Sequence, residues 1–308
     1  VTEASAKGPG LSPNVEGALW MLLSAVTFSV MATLIKFLGD DYSAALQTFY
    51  RQLAGVVILA PVILRYRSAA FATTRPGILI FRASAGTVGV ILSFYAFQNM
   101  PLADANALSF TRTLWLVPLA IFVVKEKVGA LRIGAAVVGF LGVLLMVRPG
   151  AGGEFAVGWP ALAMLASSFL FALTVTGMKV LTRDHAPRVI LVWSAFLGLA
   201  FSIPGAILTW RVPGPVDLAL LAAMGVIGVI NQACYIKGMS LGDAAAMAPI
   251  DYTRLIFTAA IGFLLFSEIP TIWTIAGALV VAGSTLFITL REQRLARSAK
   301  LSAEADAQ

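Results

Sequence analysis

The chain is poor in charge, in histidine and in cysteine, and each shortage removes a class of function. Only 12% of its 308 residues are charged, with one His and one Cys. Cys234 stands alone inside an apolar run, which excludes a disulfide framework and a cysteine metal cluster. His185 sits in a charged loop, so neither a metal site nor any other cofactor is expected. No Gly-Lys-Ser/Thr phosphate loop occurs, which argues against direct ATP use. The sequence offers no nucleophile paired with a base, so an enzyme is not expected.

What is abundant is apolar surface: 59% of residues are hydrophobic and the mean hydropathy is +0.89. A chain of this kind has lipid as its main solvent. Backbone polar groups in lipid must bond internally, and runs of about 20 apolar residues without strict alternation select helices over a barrel. The fold class is therefore all-α integral membrane, with the lipid bilayer as its first partner. The formal charge of +7 comes from Lys and Arg scattered among short loops and the tail, which fits membrane topology and not nucleic acid.

Spans are expected near 17–37, 45–64, 77–98, 103–124, 131–147, 158–180, 188–210, 216–239, 243–266 and 271–290. This divides the chain into a disordered leader over 1–16, a first five-helix repeat over 17–147, a linker over 148–157, a second repeat over 158–290 and a basic tail over 291–308. The leader lacks an apolar core and does not read as a cleavable signal. Ten spans put both termini on one side. With that side cytoplasmic, the inside segments hold residues such as Arg65, Arg67, Arg75, Lys125, Lys127, Arg183, Arg188, Arg291 and Arg294, against Lys36, Arg148 and Arg211 outside. Basic residues near span ends resist translocation, so both termini are expected in the cytoplasm of a bacterial inner-membrane protein.

Self-similarity carries most of the information. Ser24-x-x-x-Phe28, Lys36 and Asp41 recur 143 residues later as Ser167-x-x-x-Phe171, Lys179 and Asp184, and Tyr50 then falls on Trp193. Gly86-x-x-Gly89 returns as Gly225-x-x-Gly228, and Met100-x-Leu102-x-Asp104 as Met239-x-Leu241-x-Asp243. Thr111-Arg112 returns as Thr253-Arg254, and Glu126 as Glu268. An odd number of spans per copy forces the copies into opposite orientations, with sites near the midplane between them. The expected architecture is two inverted five-helix repeats around a central cavity.

This ten-span pattern, with Arg51 in the second span and Glu126 and Glu268 at the repeat-related junctions, resembles the EamA-type branch of the drug/metabolite transporter superfamily over about residues 17–290. Its overall look is similar to the YddG-type bacterial amino-acid exporters. The resemblance implies that spans one to four and six to nine surround the cavity, with spans five and ten peripheral. It implies a secondary carrier or facilitator that exports amino acids and related small metabolites by alternating access. A second reading keeps the fold and changes the cargo to a nucleotide-like or sulfonium compound or a drug.

Ionisable groups in lipid-spanning helices cost about 2.5 to 3.5 kcal/mol each at the centre on insertion scales, so Arg51, Arg112, Asp251 and Arg254 need partners, water or a purpose. Asp251 and Arg254 are spaced i, i+3 and can meet on one helix face, with Arg112 at the repeat-equivalent position. They can form a lock between helices or leave a guanidinium for a substrate carboxylate. Candidate cavity residues are Tyr50, Tyr95, Gln98, Asn99, Trp193, Asn231 and Tyr235, with Trp20 and Trp115 equally suited to anchoring at the interface. Pro118 and Pro249 are hinge candidates, since each removes a helix hydrogen bond. The first span contains no carboxylate, Glu16 preceding it, which weakens proton antiport while leaving Asp251. Among oligomeric states, the monomer is favoured.

Overall fold

A computed structural model describes residues 13–66, 71–123, 125, 128–147, 158–181, 187–241 and 244–305. Among them every regular element is a helix: α1 Pro13–Phe37, α2 Ala44–Tyr66, α3 Pro76–Asn99, α4 Leu102–Ser109, α5 Thr111–Phe122, α6 Ala130–Val147, α7 Trp159–Leu181, α8 Pro187–Leu208, α9 Pro215–Leu241, α10 Ala244–Asp251, α11 Thr253–Phe266 and α12 Ile272–Ala305. Pro opens α1, α3, α8 and α9, where its missing N–H is no loss and its fixed φ suits the first turn. Two pairs, α4 with α5 and α10 with α11, are halves of single passes, so the twelve helices make ten crossings. Nine described segments are long and apolar enough to span by composition alone. The tenth pass, α2, has the length at 23 residues but carries Gln47, Thr48, Arg51 and Gln52 in its first half.

The expected fourth and ninth spans are thus broken helices, at Phe110 and at Tyr252. The backbone at the two breaks is nearly identical, φ −69° and ψ −16° at Phe110, φ −71° and ψ −14° at Tyr252. Each break residue donates its N–H three residues back, Phe110 to the Ala107 carbonyl and Tyr252 to that of Pro249, and each carbonyl takes an N–H three residues on. This is one tight 3₁₀ turn inserted at the same place in both repeats. Pro249 is not its cause, because Ala107 holds the matching place in the first repeat. The hinge expectation is corrected accordingly: α5 continues through Pro118, and the breaks lie at aromatic residues.

The packing follows a pseudo-two-fold axis. α1 lies along α9 as α7 lies along α3; α2 touches α9 as α8 touches α3; α11 leans on α1 as α5 leans on α7. α2 crosses α8, and α6 crosses α12, each pair related to itself by the axis. Small residues let backbones approach at these crossings, as membrane packing requires. A Cβ on Gly225 would come 2.5 Å from the Ala54 Cβ, and one on Gly277 would come 2.6 Å from the Gly142 carbonyl oxygen.

The two faces are not equivalent. The near face is where α1 begins and α12 ends; the far face holds the turns at 38–43, 100–101, 209–214 and 267–271. The main buried cluster, including Ile35, Leu38, Tyr42, Phe97 and Leu102, fills the far half, while the near half holds only small clusters around Leu114 and Leu79. In the far half α4 packs against α11; their counterparts α10 and α5 make no comparable contact among the described residues. The molecule is closed on the far face and open toward the near one. The last turns of α12 run past any bilayer-length helix, so its basic segment after Arg291 leaves the membrane as a continuing helix.

Candidate functional site

At the centre the two break residues meet across the axis: the Phe110 and Tyr252 rings lie 4.5 Å apart, tilted by 36°. One turn into α11, the Arg254 guanidinium sits 4.0 Å over the Phe110 ring and 4.9 Å from the Phe28 ring of α1. Its Nη2 donates to the Ser109 Oγ at 3.2 Å, and its buried Nε has no partner. Stacking on aromatic faces stabilises a cation by about 0.5–2 kcal/mol without consuming its N–H groups. An arginine has five such donors, so most remain for an incoming anion. The Tyr252 hydroxyl is tied to Thr285 of α12, which fixes the ring on which this arrangement rests.

The expectation that Asp251 and Arg254 pair on one helix face is corrected. No ion pair within 4.0 Å joins Asp251 to Arg254 or to Arg112 among the described residues. The cause is the break at Tyr252, which ends α10 at Asp251 and starts α11 at Thr253. Asp251 still attracts the Arg254 charge from a distance and Arg112 repels it. Tyr235 of α9 belongs to the same electrostatic neighbourhood. Arg51 of α2 lies beside Gly228 of α9 and Met31 of α1, with its Nε buried and unpartnered. The passage therefore holds an excess of positive charge.

The other candidates are distributed elsewhere. Tyr50 stacks on Trp210 and meets Phe49 edge-on, in the far half. Trp193, its repeat mate, donates Nε1 to the Phe71 carbonyl at 3.2 Å and packs on the Phe71 ring, in the near half. These are matching helix-to-loop clasps on α2 and α8. Asn231 donates to the Ser24 carbonyl at 2.7 Å and so joins α9 to α1. Gln98 donates to the Tyr42 carbonyl at 3.1 Å, and Asn99 folds back on the Tyr95 carbonyl at 2.8 Å, leaving the Tyr95 ring 38% exposed. Trp115 packs between Phe140 of α6 and Phe169 of α7, away from the axis. Trp20 lies under Lys237, whose Nζ is 4.5 Å from its ring, toward the near mouth. A cavity of about 320 Å³ bounded by Asn99, Asp104, Met146 and Pro160 lies at the far side, separate from Arg254.

Far-face closure has its own polar set. Lys36 at the end of α1 forms an ion pair with Glu268 and donates to the Met100 carbonyl at 2.8 Å. Glu268 also accepts the Leu102 N–H at 2.8 Å, the first residue of α4, where a carboxylate complements the helix dipole. A left-handed residue, Ser267 with φ 55°, turns the chain so that Glu268 points inward. On the same face Asp217 accepts the Tyr42 hydroxyl at 2.7 Å, which raises the phenol pKa, and Arg211 pairs with Asp41 at 2.5 Å. The repeat mates Lys179 and Glu126 lie outside the described residues.

Sequence reasoning did not single out Ser109, Phe110 or Tyr252. An aromatic immediately before Thr-Arg in both repeats was the available signal.

A ten-pass inverted repeat, closed on one face and holding unneutralised arginines at mid-depth, defines a solute transporter. The chain belongs to the EamA-like transporter family, which it matches over residues 15–148 and again over 158–290. It is similar to the S-adenosylmethionine uptake transporter of Rickettsia prowazekii, 29% identical over 92% of this chain and 96% of that protein. The riboflavin transporter of Rhizobium johnstonii is 28% identical over 93% and 95%. The pseudopaline exporter CntI of Pseudomonas aeruginosa is 26% identical over 86% and 93%. A solved crystal structure aligns with a TM-score of 0.60 over 92% of this chain and 98% of its own, at 16% identity, a likeness of fold. The chain is a metabolite transporter of the lipid bilayer and not an enzyme.

Proposed function

We propose that this transporter carries amino acids and metabolites bearing an amino-acid moiety by alternating access across a bacterial inner membrane, loading from the cytoplasm and exporting. The single observation that supports this reading is Arg254. Its guanidinium is held between two aromatic rings at mid-depth, with most donors unused and no carboxylate of the protein within ion-pair distance. A substrate carboxylate is the natural complement of such a planar fork. The Asp251 carboxylate nearby, itself without a partner, suits the substrate ammonium. Basic residues crowd the near-face segments, at Arg65, Arg75, Lys125 and Arg132 among others, so the near face and both termini are cytoplasmic. The open near half then makes the described state the one that loads from inside.

The relatives' names span S-adenosylmethionine, pseudopaline and riboflavin, and both uptake and export. S-adenosylmethionine contains an amino-acid moiety and riboflavin does not, which sets up the test. Purified protein in liposomes is assayed for counterflow of labelled L-methionine, L-phenylalanine, S-adenosylmethionine and riboflavin, with and without a pH step. Saturable counterflow of at least one carboxylate-bearing compound is expected, lost in Arg254→Ala protein that still inserts normally. Carriage of riboflavin alone, or full activity of Arg254→Ala, would overturn the reading.

A further inference from the structure

Three polar contacts join α4 to α11 and its following turn along the closed far half. The Leu102 N–H meets Glu268 Oε2 at 2.8 Å, Asn106 Nδ2 meets Thr258 Oγ1 at 3.0 Å, and Arg254 Nη2 meets Ser109 Oγ at 3.2 Å. Positions 102, 106 and 109 share one face of α4, so the contacts form a continuous seam. A polar seam separates more readily than interlocked apolar side chains, because each bond can be exchanged for one to water.

The axis relates this seam to a second one that is not made. Ser109 ends α4 as Asp251 ends α10, and Arg112 is the second residue of α5 as Arg254 is of α11. Carrying the Arg254 to Ser109 contact through the axis therefore gives Arg112 to Asp251. In this structure those two side chains have neither a hydrogen bond nor an ion pair among the described residues, and α5 stands clear of α10.

We propose that Arg112 and Asp251 are the near-face half of the seam, pairing as α5 and α10 close and as Arg254 releases Ser109. The inference rests on the alternating-access reading above. It accounts for two charges left unpaired at mid-depth, which the open near half keeps hydrated until closure brings them together. It also balances the cycle. The far-closed state holds the Lys36 to Glu268 ion pair and the near-closed state holds Arg112 to Asp251, so the two states exchange one ion pair for another and neither becomes a trap.

The test is electron–electron distance measurement between spin labels in lipid, on a background without Cys234. One pair, Val123 with Ser240, reports the near face; the other, Asp40 with Ile269, reports the far face. Lys36→Gln should lengthen the far distance and create a new short near-face population. Adding Arg112→Gln should remove at least nine-tenths of that short population, as should Asp251→Asn, and the exchange Asp251→Arg with Arg112→Asp should restore it. A short near-face population that persists unchanged in Lys36→Gln with Arg112→Gln would overturn the inference while sparing alternating access. A Lys36→Gln protein with no second population at either face would overturn both. Loss of substrate counterflow with normal distance changes would overturn only the substrate reading.

Discussion

At the scale of single residues, function depends on how Arg254 is held. Its charge rests on Phe28 and Phe110, and only one of its donors is engaged, by Ser109. Lysine keeps the charge but not the planar fork or the stacked face. Arg254→Lys is therefore expected to lower counterflow at least tenfold at subsaturating substrate. Ser109→Ala removes a single bond to a charged donor, worth about 1.5–3 kcal/mol at most, and leaves the stack intact. It should transport more than Arg254→Lys does, and equal losses would contradict the stacking account. The charged positions of this site were legible from composition, since arginines in apolar runs stand out. Their partners were not. Spacing alone put Asp251 beside Arg254 on one continuous helix, and the 3₁₀ turn at Tyr252 undid that geometry. Tyr50 and Trp193 were recognisable as repeat mates, yet their engagement by Trp210 and Phe71 depends on loops that no periodicity describes.

At the scale of elements, the broken passes and the peripheral pair behave differently. The break at Tyr252 recurs at Phe110 with Ala107 in place of Pro249, so Pro249→Ala should keep the break and transport at close to the parent rate. A loss above tenfold would restore proline as the cause. The α6 and α12 crossing is set by Gly142 and Gly277, where an added side chain meets backbone. Gly277→Leu is expected to destabilise by about 1–3 kcal/mol, read as a lower melting temperature in detergent, with unchanged substrate ranking because the crossing does not touch Arg254. Helix number and approximate ends were legible because about 20 apolar residues are needed to cross. The breaks were hidden because a one-residue 3₁₀ turn disturbs neither hydropathy nor composition.

At the scale of the whole molecule, the duplication visible in Ser24 with Ser167, Gly86 with Gly225 and Arg112 with Arg254 imposes the observed pairing of helices across one axis. What sequence symmetry could not reveal is that the structure breaks it. A duplicated chain has two equivalent ways to close, and only packing decides which is adopted; here Lys36, Glu268 and the far-half cluster around Ile35 and Phe97 close the far face. Alternation of that choice around Arg254 is the central claim, and solvent access to one mid-depth position tests it most directly. With Cys234 replaced and Ser109→Cys as the sole thiol, a membrane-impermeant maleimide should label from the near side only. Adding Lys36→Gln should open labelling from the far side. Labelling from the far side in the parent, or from neither side in both proteins, would contradict the account.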